Sequence, residues 1–219
     1  MNHVMIIPDG DRRYAVKKGI KTIDAYRKAA KVVKNLVDWI LVKNDIPEFT
    51  FFGLSYSNVI KRSNEDLEPI LEVQTNALNK FAEDDLFHNH GIKVIVNGEK
   101  HLLPKEYQNA IMSVEKATQN YTNKKFNLLL GYSGKLDFER ALKKTLDQHA
   151  TPTFENILKN SNIPTPIDYL IRTADEKRVS DSPLFALQYT EFYFIDKLFP
   201  ELTKRDIDKA LNAYAPDKD

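Results

Sequence analysis

Short apolar runs alternate along the chain with longer segments in which apolar residues recur every three or four positions. Runs of four to seven apolar residues bounded by Gly, Pro, Asn or Ser are typical of buried β-strands. Such runs cover residues 3–7, 49–55, 92–96, 126–130 and 169–172. The longer periodic segments predict helices, which we place at residues 22–43, 63–90, 105–120, 135–148, 183–190 and 204–213.

This alternation of strands and helices favours one class of fold. Strands separated by helices need crossover connections, and these produce a mostly parallel sheet with helices on both faces. Residues 149–166 contain three prolines and form the least regular stretch, where we expect a mobile connection. We find no internal repeat or linker, so the sequence predicts a single α/β domain over residues 1–219.

Composition excludes several classes of protein. Hydrophobic residues at 42% and charged residues at 29% are close to the globular average, and no apolar run is long enough to span a membrane. The chain has no cysteine, which excludes disulfides, thiolate metal sites and a cysteine nucleophile. Because the first residues show no basic leader with an apolar core, we expect a cytoplasmic protein.

The first predicted strand ends in the sequence PDGDRR at residues 8–13. In open parallel sheets, ligands bind beyond the carboxyl ends of the strands. Gly10 would let backbone N–H groups approach a ligand, and Arg12 and Arg13 carry donors suited to phosphate oxygens. Asp9 would be repelled by a phosphate unless a cation lies between them, so we expect an oxygen-ligated Mg²⁺. An ordinary surface turn is the alternative.

A second charged loop follows the last predicted strand. Arg172, Arg178 and Ser180 lie close enough in sequence to wrap a second phosphate group from one loop, although a solvated charged loop is the alternative. Glu191 lies further on, in a segment that is otherwise almost wholly apolar and aromatic. Since isolated carboxylates are rarely buried without a partner, we expect a metal cation or one of the loop arginines beside Glu191.

Five motifs, spread over most of the chain, resemble those of the cis-prenyltransferases, the family of undecaprenyl and dehydrodolichyl diphosphate synthases. They also occur in the family's order. The motifs are DGDRRYA at 9–15, LSYSN at 54–58 with Lys61 and Arg62, GYSGKLD at 131–137, IRT with ExRxS at 171–180, and EFYF at 191–194 followed by Phe199 and Pro200.

The resemblance implies the parallel α/β fold of that family, usually as a homodimer, in which an allylic diphosphate and isopentenyl diphosphate condense with Mg²⁺. It implies that Asp9, Asp11 and Arg13 are catalytic, and that Asp9 organises the metal with Glu191 assisting there or in the partner subunit's site. Gly10 and Arg13 would hold the allylic diphosphate. The other residues that we assign to substrate binding are Arg12, Tyr14, Tyr26, Ser55, Asn58, Arg62, Arg172, Arg178 and Ser180.

The same chemistry needs an apolar pocket, because an allylic cation must be kept from water until the C5 alkene attacks it. Aromatic and aliphatic residues of the early helices are candidates for its lining, and ordinary core packing is the alternative for each. The candidates are Tyr26, Val33, Val37, Leu71, Leu78 and Phe81.

The chain departs from the family's pattern at both ends. Asp11, which we expect in an exposed loop, replaces the usual asparagine, and Tyr26 stands at the family's histidine position. Where the resemblance leads us to expect an arginine-rich, glycine-containing tail, residues 213–219 read AYAPDKD. Similar losses in the first motif occur in the lavandulyl and cyclolavandulyl diphosphate synthases, which join dimethylallyl units irregularly.

Three functional hypotheses follow. The first is regular condensation to a short-chain product, and the second is head-to-middle coupling of dimethylallyl diphosphate units to a branched diphosphate. The third is a non-catalytic subunit that stabilises a partner, against which the presence of Asp9 argues. We expect prenyl diphosphates and a second copy of the chain as partners, no nucleic acid, and transient membrane association only for a long product.

Overall fold

The structure is a computed structural model that describes residues 1–215, and its centre is a sheet of six strands. The strands are β1 (His3–Ile7), β2 (Glu48–Ser55), β3 (Ile92–Asn97), β4 (Lys124–Tyr132), β5 (Tyr169–Thr173) and β6 (Glu191–Ile195). Their order in the sheet is β3-β4-β2-β1-β5-β6, and every neighbouring pair is parallel. The predicted α/β fold is therefore confirmed. Residues 216–219, which form most of the tail compared above, lie outside the described residues.

Helices connect the strands and cover the sheet. They are α1 (Asp11–Lys18), α2 (Thr22–Val37), α3 (Tyr56–Lys61), α4 (Asn64–Phe81), α5 (Asp85–Asn89), α6 (Lys105–Thr118), α7 (Gly134–Asp147), α8 (Phe154–Asn160) and α9 (Lys204–Asn212). A π-helical turn, Asp38–Lys43, extends α2, and 3₁₀ turns lie at Lys100–Leu102, Leu184–Ala186 and Phe199–Glu201. Within residues 1–215, no helix combines the length and the apolar character that a membrane crossing requires.

The strands bury side chains on both faces of the sheet. Because successive residues of a strand point to opposite faces, Val4 and Ile6 of β1 belong to one core while Met5 and Ile7 belong to the other. The first core is the larger and includes residues of α2, α4, α6 and α9. The second core is closed by α8 and the chain that follows it. Burial on both faces explains why these strands read as continuous apolar runs.

One predicted helix divides in two. The segment predicted as a helix over 63–90 forms α4 and α5, which are separated at residues 82–84. Asp84 caps α5, since its Oδ1 atom accepts a hydrogen bond of 3.1 Å from the backbone N–H of Leu86. A side-chain cap at this position starts a new helix in place of continuing the old one.

Two further predictions are corrected by the structure. The helix predicted at 183–190 is only the 3₁₀ turn Leu184–Ala186, and the aromatic run after it is the edge strand β6. Residues 149–166, predicted as irregular, contain α8, in which Thr153 accepts a hydrogen bond from the N–H of Asn156. Ile157 and Leu158 bury this short helix against the neighbouring structure.

Candidate active site

A polar pocket opens at the edge of the sheet where β1, β2 and β5 end side by side. Its volume is about 400 Å³, within the usual range of small-molecule sites. The loops after these strands bring most of the predicted site residues together. The pocket is lined by Asp9, Gly10, Asp11, Arg12, Arg13, Tyr26, Ser55, Asn58, Arg62, Arg172, Arg178 and Ser180, among others.

Asp9 is fixed by its backbone and leaves its carboxylate facing two arginines. The backbone N–H of Asp9 donates a hydrogen bond of 2.7 Å to Thr173 Oγ1, and the same hydroxyl lies 3.0 Å from the carbonyl oxygen of Asp9. The two carboxylate oxygens are paired separately, with Arg13 Nη2 at 3.3 Å and Arg172 Nη2 at 3.2 Å. Thr173, which the sequence analysis did not assign, therefore ties the first loop to β5.

Gly10 is required by two features of its position. Its φ angle of 105° lies in the left-handed region that side chains disfavour. A Cβ atom there would also lie 2.8 Å from Leu198 Cδ2. The glycine thus lets the chain turn from Asp9 into α1, which begins at the next residue, Asp11.

Arg172 is the most buried charged group of the pocket, with only 3% of its surface exposed. Its Nη1 atom donates to Ser180 Oγ at 2.8 Å and to the carbonyl oxygen of Arg178. Burial lowers the pKa of Arg172, and the carboxylate of Asp9 acts in the opposite direction. The buried Nε atom has no hydrogen-bond partner among the described residues, so the guanidinium keeps a free donor.

The loop that holds these arginines has an unusual backbone. Ala174, Asp175 and Ser180 have positive φ angles of 67°, 55° and 56° although none of them is glycine. Such conformations persist where the surroundings impose them, and they concentrate at functional sites. The N–H of Ala174 donates to the carbonyl of Lys197 at 2.8 Å, which anchors the start of the loop. The surrounding structure therefore imposes the backbone conformation of the loop that carries Arg178.

Glu176 is a residue that the list of predicted site residues missed. Its carboxylate pairs with Arg13 at 3.2 Å and also contacts the guanidinium of Arg178. It therefore joins α1 to the loop after β5 and orients one arginine of each. The signal in the sequence was an acidic residue of the ExRxS motif that precedes Arg178 by two positions.

Asp11 is the first residue of α1 and not part of an exposed loop, which corrects the prediction. Its Oδ1 atom is buried and has no hydrogen-bond partner among the described residues. Burial, and then the neighbouring carboxylate of Asp9, raise the pKa of Asp11 to about 7, while Arg62 acts in the opposite direction. The carboxyl group is thus poorly solvated and only weakly compensated.

Tyr14 does not line the pocket. Its ring is buried with Ala15 and Ala25, and its hydroxyl accepts a hydrogen bond of 2.7 Å from Lys28 Nζ. As the fourth residue of α1, it faces α2 while the beginning of the helix faces the pocket. This contact with α2 corrects the prediction that Tyr14 binds substrate.

Glu191 and Asp9 lie at opposite ends of the parallel strands. Glu191 is the first residue of β6, whereas Asp9 comes after the last residue of β1. It pairs in register with Tyr169, which pairs with Val4, five residues before Asp9. At about 3.3 Å per strand residue, the separation is on the order of 15 Å. The Glu191 carboxylate accepts a hydrogen bond of 3.2 Å from the N–H of Ala215, and it forms no ion pair within residues 1–215. This position corrects the prediction that Glu191 shares a metal with Asp9 of the same chain or pairs with a loop arginine.

A second, apolar cavity adjoins the polar pocket and lies between the sheet and the helices α2 and α4. Of the predicted lining residues, Tyr26, Val33, Leu78 and Phe81 reach it, whereas Val37 packs in the core and Leu71 lines a groove on another side of α4. Small side chains make room for the cavity, and the sequence analysis missed them. These are Ala29, Ala30 and Ala77. Five residues line both spaces, namely Pro8, Asp11, Tyr26, Gly53 and Ile70.

The residues of the polar pocket fit a Mg²⁺ ion that is shared with a ligand. The pocket is lined by two carboxylates, those of Asp9 and Asp11. Residues 1–215 contain no group of three or more potential metal-ligating side chains. Mg²⁺ is commonly held by one or two carboxylates together with substrate phosphates. Asp9 is therefore suited to a metal site that a diphosphate completes.

Comparison with known proteins agrees with this geometry. The family model described as "Putative undecaprenyl diphosphate synthase" matches residues 7–219. A tritrans,polycis-undecaprenyl-diphosphate synthase (geranylgeranyl-diphosphate specific) of Pyrobaculum aerophilum is 35% identical over 220 residues, which cover 97% of this chain and 92% of that protein. An isoprenyl transferase of Aquifex aeolicus is 31% identical, with coverage of 97% and 92%.

Solved structures show the same fold. Lavandulyl diphosphate synthase from Lavandula x intermedia, in complex with dimethylallyl diphosphate, superimposes with a TM-score of 0.89 at 27% identity, covering 97% of this chain and 94% of that one. A probable undecaprenyl diphosphate synthase from Campylobacter jejuni gives a TM-score of 0.84 at 23% identity, with coverage of 100% and 96%, which supports the fold alone. The chain thus belongs to the cis-prenyltransferases, the undecaprenyl diphosphate synthase family, and is a prenyltransferase.

Proposed function

We propose that the chain condenses an allylic prenyl diphosphate with a C5 isoprenyl diphosphate and releases a short-chain product. The observation that carries the proposal is the junction of two spaces of opposite chemistry. One is lined by five arginines, Arg12, Arg13, Arg62, Arg172 and Arg178, and the other by aliphatic and aromatic side chains. A prenyl diphosphate has the same division between a charged head and an apolar chain.

The allylic diphosphate would bind beside Asp9. The carboxylate of Asp9 is paired with Arg13 and Arg172. The allylic diphosphate attracts Arg13 and the second diphosphate attracts Arg172 by charge-assisted hydrogen bonds, so each arginine can turn from Asp9 to its own ligand. Asp9 would then be free to hold Mg²⁺. When bound, Mg²⁺ neutralises the negative charge that develops on the departing diphosphate.

The C5 diphosphate would bind on the other side of the pocket, at Arg172, Arg178 and Ser180. Arg172 already donates to Ser180, and Glu176 holds Arg178. Donors that are already held in place bind a diphosphate with less loss of side-chain freedom. Across β1 from this subsite, Ser55 at the end of β2 caps α3 by accepting a hydrogen bond from the N–H of Asn58.

The apolar cavity would enclose the prenyl chain and exclude water from the allylic carbon. Its walls are aliphatic and aromatic apart from Asp11, Tyr26 and Gln74. The amide of Gln74 is satisfied, since it donates to the carbonyl of Gly53 and accepts from Tyr107. Only Asp11 and Tyr26 therefore leave unpaired polar atoms at this lining.

Irregular coupling of two dimethylallyl diphosphate units to a branched diphosphate is the second candidate. The structural similarity to lavandulyl diphosphate synthase, solved with dimethylallyl diphosphate, favours it. The similarity to geranylgeranyl-specific synthases favours regular condensation. A non-catalytic stabilising subunit is the third candidate, and the paired Asp9 and arginines speak against it.

We also propose that the chain forms a homodimer through the edge of the sheet at β6. Phe192 is 46% exposed on this edge strand and stacks on Phe194, with ring centroids 6.5 Å apart. Exposed apolar edge strands favour association with another chain. In such a dimer, Glu191 could still act on the partner's site. Light scattering of the purified protein tests the dimer.

Transient membrane association is proposed only if the product is long.

Mass spectrometry of the products tests the proposed reaction. Purified protein with Mg²⁺ receives dimethylallyl diphosphate alone, and then each of dimethylallyl, geranyl or farnesyl diphosphate together with isopentenyl diphosphate. Growth by C5 units only with isopentenyl diphosphate supports regular condensation. A branched C10 diphosphate from dimethylallyl diphosphate alone supports irregular coupling. Absence of products from every combination contradicts both reactions and leaves the stabilising subunit.

A further inference from the structure

Three polar groups converge where the polar pocket meets the apolar cavity. Asp11 and Tyr26 line both spaces, and Arg62 lines the pocket beside them. The atoms Asp11 Oδ1, Tyr26 OH and Arg62 Nη1 are all buried, and none has a hydrogen-bond partner among the described residues. Buried polar atoms are normally paired, so three unpaired atoms in one place require an explanation.

The three groups have complementary hydrogen-bonding capacities. A guanidinium only donates, an ionised carboxylate only accepts, and a phenol does both. A molecule that satisfies Arg62 together with the ionised Asp11 must therefore accept and donate hydrogen bonds, and it can also pair with Tyr26. Water meets this requirement, and a buried water normally makes about three hydrogen bonds.

We propose that Asp11, Tyr26 and Arg62 form a polar collar that holds one water molecule at the entrance of the apolar cavity and thereby selects short allylic donors. This proposal rests on the proposed function and deepens it, because it names the residues that limit the length of the donor's prenyl group. The collar is defined as these three side chains.

The selection follows from what a longer donor must displace. A dimethylallyl group can stay on the pocket side of the collar and leave the water in place. A geranyl or farnesyl group reaches further, so its apolar chain passes the collar and evicts the water. The three polar groups would then face hydrocarbon without partners, which is unfavourable for each of them. The cavity beyond is apolar and has a volume of about 70 Å³, so the collar opposes entry at its mouth, before the size and shape of the cavity limit the chain.

Binding of unreactive analogues tests the collar without requiring turnover. Calorimetry measures the affinities of dimethylallyl and geranyl S-thiolodiphosphate for the wild-type chain and for Tyr26→Phe, which removes only the hydroxyl. We expect the affinity for the geranyl analogue, relative to the dimethylallyl analogue, to rise about tenfold in Tyr26→Phe. Tyr169→Phe is the matched control, because its hydroxyl donates to the carbonyl of Ala210, far from the pocket.

A second variant keeps the test decisive if Tyr26→Phe does not fold. Arg62→Met removes a donor from the collar and a positive charge from the pocket, so both analogues should bind more weakly while their affinity ratio shifts in the same direction. An unchanged ratio in both variants overturns the collar, whatever the enzyme's reaction proves to be. A shifted ratio without any prenyl transfer supports the collar as a selectivity device and rejects the proposed reaction. Failure of both analogues to bind the wild-type chain overturns both proposals.

Discussion

The polar pocket and the apolar cavity share five lining residues, yet they are built in different ways. The pocket takes Asp9 from the loop after β1 and its arginines from α1, the end of α3, β5 and the loop after β5, and Asp9, Arg13, Arg172 and Arg178 are already held in ion pairs. The cavity takes its lining largely from α2, α4 and the underlying strands, where no single side chain dominates. A few fixed charges should therefore govern reaction at the pocket, while size and shape should govern selection at the cavity.

The largest effect is expected from removing the carboxylate that pairs with both arginines. Asp9→Ala should lower kcat by about 10³-fold, because charge neutralisation at a departing group is worth that order. The fold should persist, since the hydrogen bonds to Thr173 come from the backbone of Asp9. Steady-state kinetics and circular dichroism measure the two properties. Asp208→Ala, which breaks the exposed ion pair with Lys204, is the control. Near-normal kcat in Asp9→Ala would remove this residue from the mechanism.

The next largest effect is expected at the cavity and concerns size instead of charge. Phe81 lines the cavity and packs against Phe87 and Phe126, with ring centroids 4.9 Å and 6.4 Å away. Phe81→Ala should cost about 3–5 kcal/mol of unfolding free energy, as for other buried aromatic truncations. It should also deepen the cavity and shift products towards longer chains.

Phe87→Ala provides the matched control for this prediction. Phe87 is fully buried in the same aromatic cluster but does not line the cavity. Chemical denaturation should show a similar loss of stability in both variants, while mass spectrometry should show longer products for Phe81→Ala alone. Identical product distributions in Phe81→Ala and the wild type would mean that this wall does not set product length.

The two regions also differ in how far the sequence predicts them. Asp9 comes just after β1 and Arg172 lies near the end of β5, and parallel strands bring such positions to one edge, so their meeting was predictable. The alanines that open the cavity, such as Ala29 and Ala77, look like any residues on the buried side of a helix. Nothing local distinguishes a space from a filled core. The distant position of Glu191 depended on the register of β6, which an aromatic run does not reveal.

A smaller effect is expected at the edge of the pocket. Glu176→Gln keeps the shape of the side chain but removes the charge that pairs with Arg13 and Arg178. Both arginines should become less well oriented, so KM should rise about tenfold, equivalent to 1.4 kcal/mol, while kcat changes less. Initial-rate kinetics with each diphosphate varied in turn measure the change. Glu68→Gln, on the far side of α4, is the control. An unchanged KM would show that the arginines hold their positions without Glu176.

The smallest effect is expected at Asp11, which belongs to both regions. Its pKa in the folded chain is raised to about 7 by burial, so the folded state retains a proton that the unfolded chain releases at lower pH. Between these two pKa values the folded state binds more protons, and the stability contributed by Asp11 therefore falls as pH rises. Asp11→Asn cannot ionise and should lose this dependence. In urea unfolding without metal, the gain of the variant over the wild type should be larger at pH 8 than at pH 5, because only at the higher pH must the wild type ionise this buried carboxyl. An equal difference at both pH values would mean that Asp11 is solvated. Asp11 would then not be a buried group at the boundary between the polar pocket and the apolar cavity.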